Sequence, residues 1–423
     1  MIYIIKRVQL ADGVILNTIT DKRFKVNQFS AVFFTEIKEN SLAEHCIMPS
    51  ILADSCEKYP DYLTLNRYTE SLYNLSLSAS MEYCGGTRAM IMSAVSIDDR
   101  YALNGENLEQ AAAGLLIECL FRPRLENGAF AEEPFRIAQN QLIDDINAEK
   151  NDKAGYAARR GAAAAYRGEP DGLPYYGTLE QAKAADTRSV YAAYREMLRT
   201  AHAEIFAVGC SDFTETAELF RQAFSQVERS DIFEIKRSVS PLKPEVCEVT
   251  ETAEMEQAIL RMYYKCEGAA DRSVSLIANS ILGGLPTSRL FTNIREKQSL
   301  CYYCSSSINN IKGVIAVSAG VEPKNLEQTR AAITEEIERM INEGVTEEEL
   351  EQAKRAVRQS VGSLYDSVYS LTAWYLGRLF DEKMYSPEEL LEKYERCTCG
   401  DIVSELRKYK PDTVYILKPG EDK

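Results

Sequence analysis

Apolar positions recur at helical spacing in two stretches that resemble each other. Behind Gly105-Glu106-Asn107-Leu108-Glu109-Gln110, the residues Leu108, Leu115, Leu116 and Cys119 share one face; behind Pro323-Lys324-Asn325-Leu326-Glu327-Gln328, so do Leu326, Ile333, Ile337, Met340 and Ile341. Each stretch predicts an amphipathic helix. A strand-like run precedes each, at 87–95 and at 313–321. A second, acid-started helix follows each, from Glu132 and from Thr346, where Gly344 is a stop and Thr346 with Glu349 a capping box. Both series close with a helix and a strand, 189–198 with 203–208 and 388–396 with 413–417. A match such as N-L-E-Q arises by chance, whereas the shared order of five elements predicts two copies of one α+β domain. Residues 227–245 are charged, hold Pro241 and Pro244 and lack periodicity, so they read as a linker. The expected organisation is a first domain at 1–226, a linker at 227–243 and a second domain at 244–423.

The length of 423 residues suits this division, at a prior of about 100–200 residues per domain. With 45% hydrophobic and 27% charged residues, disordered and collagen-like classes are excluded. Forty-nine basic against 64 acidic residues leave a net charge of −15, a surface that repels phosphate backbones, so no nucleic-acid partner is expected. No window approaches about 18 consecutive apolar residues, so no transmembrane span is expected. The N-terminal Met1-Ile2-Tyr3-Ile4-Ile5-Lys6-Arg7 has its charge after the apolar run and reads as a first strand, not a signal peptide. Eleven cysteines without a framework spacing imply reduced thiols and a cytoplasmic setting.

Only two histidines are present, His45 and His202. A catalytic zinc site takes three protein ligands, usually histidines with a carboxylate, and two distant histidines do not supply paired imidazoles. An H-x-x-E-H site is absent. Two thiol groupings occur, Cys301-Tyr302-Tyr303-Cys304 and Cys397-Thr398-Cys399. Residues 300–307 read as a strand, on which positions three apart point to opposite faces, so zinc held by the first grouping is not expected. His45 adjoins Cys46, yet sequence neighbours rarely meet in catalytic geometry. His202, with no acidic or thiol companion within a turn, reads as structural, and Asp144-Asp145 as a solvated helix face. Gly283-Gly284 follow an apolar helix without a phosphate-loop pattern and read as a helix stop.

The segment around those glycines runs Gly283-Gly284, then Ser288-Arg289-Leu290-Phe291, then Arg295-Glu296-Lys297, then Leu300 and Tyr302. This long, ordered motif resembles the second-domain signature of the pitrilysin/insulinase metallopeptidases. Asn66-Arg67-Tyr68-Thr69 with Leu72-Tyr73, the stretch Leu173-Pro174-Tyr175-Tyr176-Gly177-Thr178-Leu179 and the tandem domains have counterparts there, so the resemblance spans essentially the whole chain. It implies two related α+β domains, each a mainly antiparallel sheet packed with helices, enclosing a cavity that holds an extended peptide.

In active family members a helix of domain one carries H-x-x-E-H and a later helix adds a Glu ligand. Here Ser41-Leu42-Ala43-Glu44-His45 keeps only the last two letters, while alignment from Ser55-Cys56-Glu57-Lys58-Tyr59-Pro60 places the motif on Cys46-Ile47-Met48-Pro49-Ser50. Asp145 falls at the later Glu position and Ala138 at the accompanying acidic one. Both registers imply no metal ligands, no catalytic residues and no cofactor on this chain. The substrate-binding pair of the family falls on Arg295 and Tyr302, whose guanidinium and phenol donate hydrogen bonds to carbonyl oxygens; the bland alternative is a helix cap and a core aromatic. The resemblance therefore implies a substrate-gripping subunit of a heterodimeric zinc protease, acting on a peptide or small protein beside a zinc-bearing paralogous partner. A stand-alone peptide-binding scaffold is the alternative, and a rebuilt thiol enzyme around Cys46 a third.

Overall fold

The computed structural model describes residues 5–420. The expected strand at the N-terminus lies partly outside the described residues; the first strand runs from Lys6. The strands of the first half are β1 (Lys6–Ala11), β2 (Val14–Thr20), β3 (Val26–Glu36), β4 (Ser76–Cys84), β5 (Thr87–Ile97), a two-residue hairpin β6 (Leu125–Glu126) and β7 (Ala129–Phe130), and β8 (His202–Gly209). Those of the second half are β9 (Cys247–Ala253), β10 (Ala258–Cys266), β11 (Cys301–Asn309), β12 (Val314–Val321) and β13 (Tyr409–Pro419).

The first sheet has the order β1-β2-β8-β3-β5-β4 and the second β11-β12-β10-β13-β9. In the first only β2 and β8 run parallel, and in the second only β9 and β13. Running from β4, the first sheet repeats the second strand for strand, with β1 as an extra edge. The two halves are therefore similar mixed α+β folds with largely antiparallel sheets. The repeated tetrapeptide opens equivalent helices, Leu108–Phe121 and Leu326–Asn342. In the first, Asn107 Oδ1 accepts from Gln110 N at 2.8 Å, satisfying an end donor. The expected box also forms: Glu349 N donates to Thr346 Oγ1 at 3.2 Å and Thr346 N to Glu349 Oε2 at 2.8 Å.

One expected match needs correction. Between the helix Pro387–Glu395 and β13 lies a further helix, Cys399–Leu406, capped by a Thr398–Asp401 box. Its short length gives too few turns to show a period. Cys397 and Cys399 flank that cap, and the Cys399 thiol donates to Glu347 Oε1 at 3.5 Å.

Each sheet lies within one of the stretches 1–226 and 244–423, but the compact units are discontinuous. One unit comprises residues up to Ala148 with Pro174–Lys236 and Leu364–Ser386; the other comprises Glu149–Leu173, Arg237–Ser363 and residues from Pro387. Each unit thus includes a helix from the other half. In the first, Val368, Leu371 and Tyr375 of the helix Val368–Arg378 bury against Phe24, Phe206 and Val208. In the second, Ala157 of the helix Lys153–Ala165 packs on Ile259, Tyr415 and Leu417. A Cβ added at Gly161 would stand 2.6 Å from the Tyr263 hydroxyl, so small residues on this helix allow the close approach. Behind it, buried Lys312 pairs with Glu169 at 2.9 Å and Asp171 at 3.0 Å, and Lys243 pairs with Asp412 at 2.8 Å. These charges balance locally, the condition under which burial is tolerated.

The paired glycines do more than stop a helix. The π-helical segment Ser280–Gly284 lies on β11, where a Cβ on Gly283 would stand 2.5 Å from the backbone nitrogen of Ser306. Gly283→Ala is expected to cost about 1–3 kcal/mol through the forced backbone shift. A urea midpoint unchanged from wild type would contradict this close packing.

Candidate functional site

The helix Leu42–Asp54 carries the second register of the zinc motif whole and the first from Leu42 on, with Ser41 as its N-cap. Cys46 and Ser50, four residues apart, share a face, and Cys46 lies close enough to Asp145 for that carboxylate to raise its pKa. Between them Pro49 interrupts the helix interior, lacking the N–H that would bond to the His45 carbonyl. Asp145 accepts from Gln141 Nε2 at 2.8 Å, and Ala138 is buried. His45 instead lines a cavity of about 240 Å³ with Thr35, Lys38, Ser41 and Glu196.

Sequence reasoning passed over the residue that dominates this region. Arg88 on β5 is fully buried, with Nη1 donating to the Leu42 carbonyl at 2.9 Å and Nη2 to the Tyr175 carbonyl at 2.6 Å. Nη2 also lies 3.0 Å from Cys46 Sγ. The rings of Tyr83 and Tyr175 stand 5.4 and 5.8 Å from the guanidinium, a cation–π arrangement. The Tyr175 hydroxyl donates to the Met81 carbonyl. One organic cation thus joins the motif helix, β5 and the loop through Tyr175. An arginine inside the apolar run Thr87 to Val95 was the available signal.

These residues do not fit a zinc ion: the Arg88 guanidinium abuts Cys46 at the first ligand position, Ser50 holds the second, and Pro49 stands where the motif's water-polarising Glu would be. Among the described residues no three His, Cys, Asp or Glu side chains gather to hold a metal. Burial raises the Cys46 thiol pKa above its ordinary value despite Arg88, leaving the neutral form, a poor nucleophile.

Burial, then the Arg88 and Lys38 cations, push the His45 pKa down from 6.5 to about 3. The unfolded chain takes up this proton through pH 6.5, the folded chain only near 3, so the stability His45 contributes is full above 6.5 and drains away as pH falls. Between about pH 7.5 and about pH 5 the loss is about 2 kcal/mol. In His45→Leu the same acidification is expected to cost correspondingly less in chemical denaturation; an equal drop in both proteins would contradict the assignment.

His202 requires a correction, because its Nε2 lies 2.8 Å from Glu204 Oε1. On a strand the companion sits two residues away on the same face, not within a helical turn. Arg7 at 2.9 Å and Asn17 at 2.6 Å complete the partners of buried Glu204. His202 is a structural partner in this cluster.

Arg295 and Tyr302 lie together in the second half. Arg295 closes the helical segment Leu290–Lys297, and its Nε donates to the Tyr302 carbonyl at 3.3 Å. Its guanidinium stands 4.8 Å from the Phe291 ring. Tyr302 is 52% exposed, so it is not a core aromatic. It is the extra residue of a β-bulge: Cys301 opposes Val321 and Tyr303 opposes Gly320, leaving Tyr302 unpaired on the edge strand β11. A bulge re-aims a side chain, and here it presents the phenol, whose hydroxyl donates to Glu322 Oε1 at 3.4 Å. Arg289 of the same signature has a structural partner, Glu349, at 2.6 Å.

Two largely antiparallel repeats of this topology, with the ordered signature in the second, define a peptidase-type α+β fold. Residues 185–357 match the model of the peptidase M16 inactive domain, a stretch that holds the Arg295 and Tyr302 signature, and the chain is similar to inactive M16-family peptidases. Over 97% of its length it is 24% identical to the "Probable inactive metalloprotease YmfF" of Bacillus subtilis, covering 96% of that protein. Over 40% of both chains it is 32% identical to an "Uncharacterized zinc protease YmxG" from the same organism. The crystal structure of a conserved protein from Enterococcus faecalis V583 superposes with a TM-score of 0.90 at 25% identity, covering 99% of each chain.

Proposed function

We propose that this chain is the zinc-less, substrate-gripping subunit of a two-chain peptidase whose partner supplies H-x-x-E-H and the metal. The observation that carries the reading is the contrast between the halves. Where the family's first ligand would stand, Arg88 places a guanidinium 3.0 Å from Cys46 Sγ, whereas Arg295 and Tyr302 stand accessible on a bulged edge strand. In the proposed role, both donors hold carbonyl groups of an extended peptide beside the bond that the partner cleaves. The likeness to two Bacillus subtilis proteins, one named inactive and one named a zinc protease, favours a pair of unlike chains over a lone scaffold. No helix among the described residues is long and apolar enough to cross a membrane. Eleven free cysteines favour a reducing, cytoplasmic setting.

The test is co-expression with a zinc-bearing paralogue. Cleavage of a reporter peptide is expected from the co-purified pair and not from this chain alone. A chain that binds peptide but supports no cleavage with such a partner would replace this reading with the scaffold.

A further inference from the structure

We propose that Cys301 and Cys304 are a redox modification site, a thiol pair that reacts with a small disulfide of the glutathione class and closes to an intramolecular disulfide. The expected opposite orientation of these residues does not hold, because the bulge at Tyr302 inserts one residue between them. Cys301 opposes Val321 and Cys304 opposes Ala319, positions two apart on β12 and therefore on one face. The two thiols are close enough that each is the largest influence on the other's pKa. Their access differs: Cys301 is half-buried and Cys304 buried. The neighbouring Cys304 thiol, with help from the Arg295 guanidinium, holds the Cys301 thiol below its ordinary range, while Cys304 is pushed up. An accessible thiol with thiolate character beside a protected partner is the arrangement of a redox-active pair.

In the proposed step the Cys301 thiolate attacks one sulfur of oxidised glutathione, breaking its S–S bond and releasing one glutathione thiolate. Cys304 gives its proton to solvent, and its sulfur displaces the second glutathione thiolate from the mixed disulfide. The two cysteines lose two protons and two electrons, and one oxidised glutathione becomes two reduced ones. The new bond spans Tyr302 and Tyr303 and constrains the bulge that presents the phenol. Its regulatory consequence, weaker peptide holding after oxidation, rests on the proposed role of Tyr302. Cys56 and Cys119 also touch but are sealed in the core, and so serve as an internal control.

The full chain would be equilibrated with graded ratios of oxidised to reduced glutathione, alkylated and mapped by mass spectrometry. Cys301 and Cys304 are expected to lose their alkylation sites together without retaining glutathione, while Cys56 and Cys119 stay thiols. Cys304→Ser is expected to retain glutathione on Cys301. A stable glutathione adduct on wild-type Cys301, or two free thiols at ratios that oxidise dithiothreitol, would overturn the proposal. Peptide binding is expected to fall several-fold in the oxidised chain; unchanged binding would overturn the regulatory consequence. Arg295→Ala in the reduced chain tests the grip separately, since unaltered peptide binding there would refute the grip and leave the disulfide mapping intact.

Discussion

In the two-chain peptidase, Arg295→Ala is expected to lower kcat/KM by about 10²–10³-fold, the usual loss when a donor aimed at developing charge is removed. The side chain is available for this work. Its nearest carboxylate, Glu296, lies 3.7 Å away, outside hydrogen-bond range, and only Nε is engaged, on the Tyr302 carbonyl. Tyr302→Phe is expected to lose less, about 10-fold, because one neutral donor contributes about 1.4 kcal/mol. Its hydroxyl is held only by a 3.4 Å bond to Glu322, so a substrate carbonyl competes on favourable terms. Both residues are exposed, so unfolding free energies should stay within about 0.5 kcal/mol of wild type. A fall in kcat/KM accompanied by destabilisation well beyond about 0.5 kcal/mol would deny the grip, as would activity equal to wild type.

Arg88→Met is expected to destabilise the first unit by about 2–4 kcal/mol. The substitution preserves apolar volume but removes a charged hydrogen bond from each of the Leu42 and Tyr175 carbonyls, worth about 1.5–3 kcal/mol apiece, and leaves the Tyr175 carbonyl only the Cys46 thiol at 3.4 Å. Relief from burying a cation that has no carboxylate partner among the described residues offsets part of this. Arg88→Lys should recover only part of the loss, since an ammonium lacks the planar fork that reaches both carbonyls. Chemical denaturation measures both variants. A methionine variant as stable as wild type would mean that the guanidinium does not join these elements.

Much of the fold was legible in the sequence because the duplication preserved local signals. The N-L-E-Q openings and the Thr346–Glu349 box all stand at helix starts here. The exchange of the helices Lys153–Ala165 and Val368–Arg378 was not legible, because amphipathic spacing reports that a face is buried and not which sheet buries it. The candidate site divided in the same way. Gly283 and Arg289 have local structural reasons that the motif encodes: close contact with Ser306 and a paired Glu349. The bulge at Tyr302 leaves no mark in residue types, and it reversed the facing of Cys301 and Cys304. His202 and Glu204 were separated by testing for a helical turn on what is a strand. Arg88 was hidden because a lone arginine in a strand ordinarily faces solvent.

The zinc content of the purified chain, measured after incubation with excess zinc and removal of the unbound ion, tests the central claim most directly. With Cys46 against a guanidinium and Ser50 at the paired histidine positions, and Pro49 in place of the motif Glu, far less than one zinc per chain is expected; one tightly held zinc per chain would contradict the account.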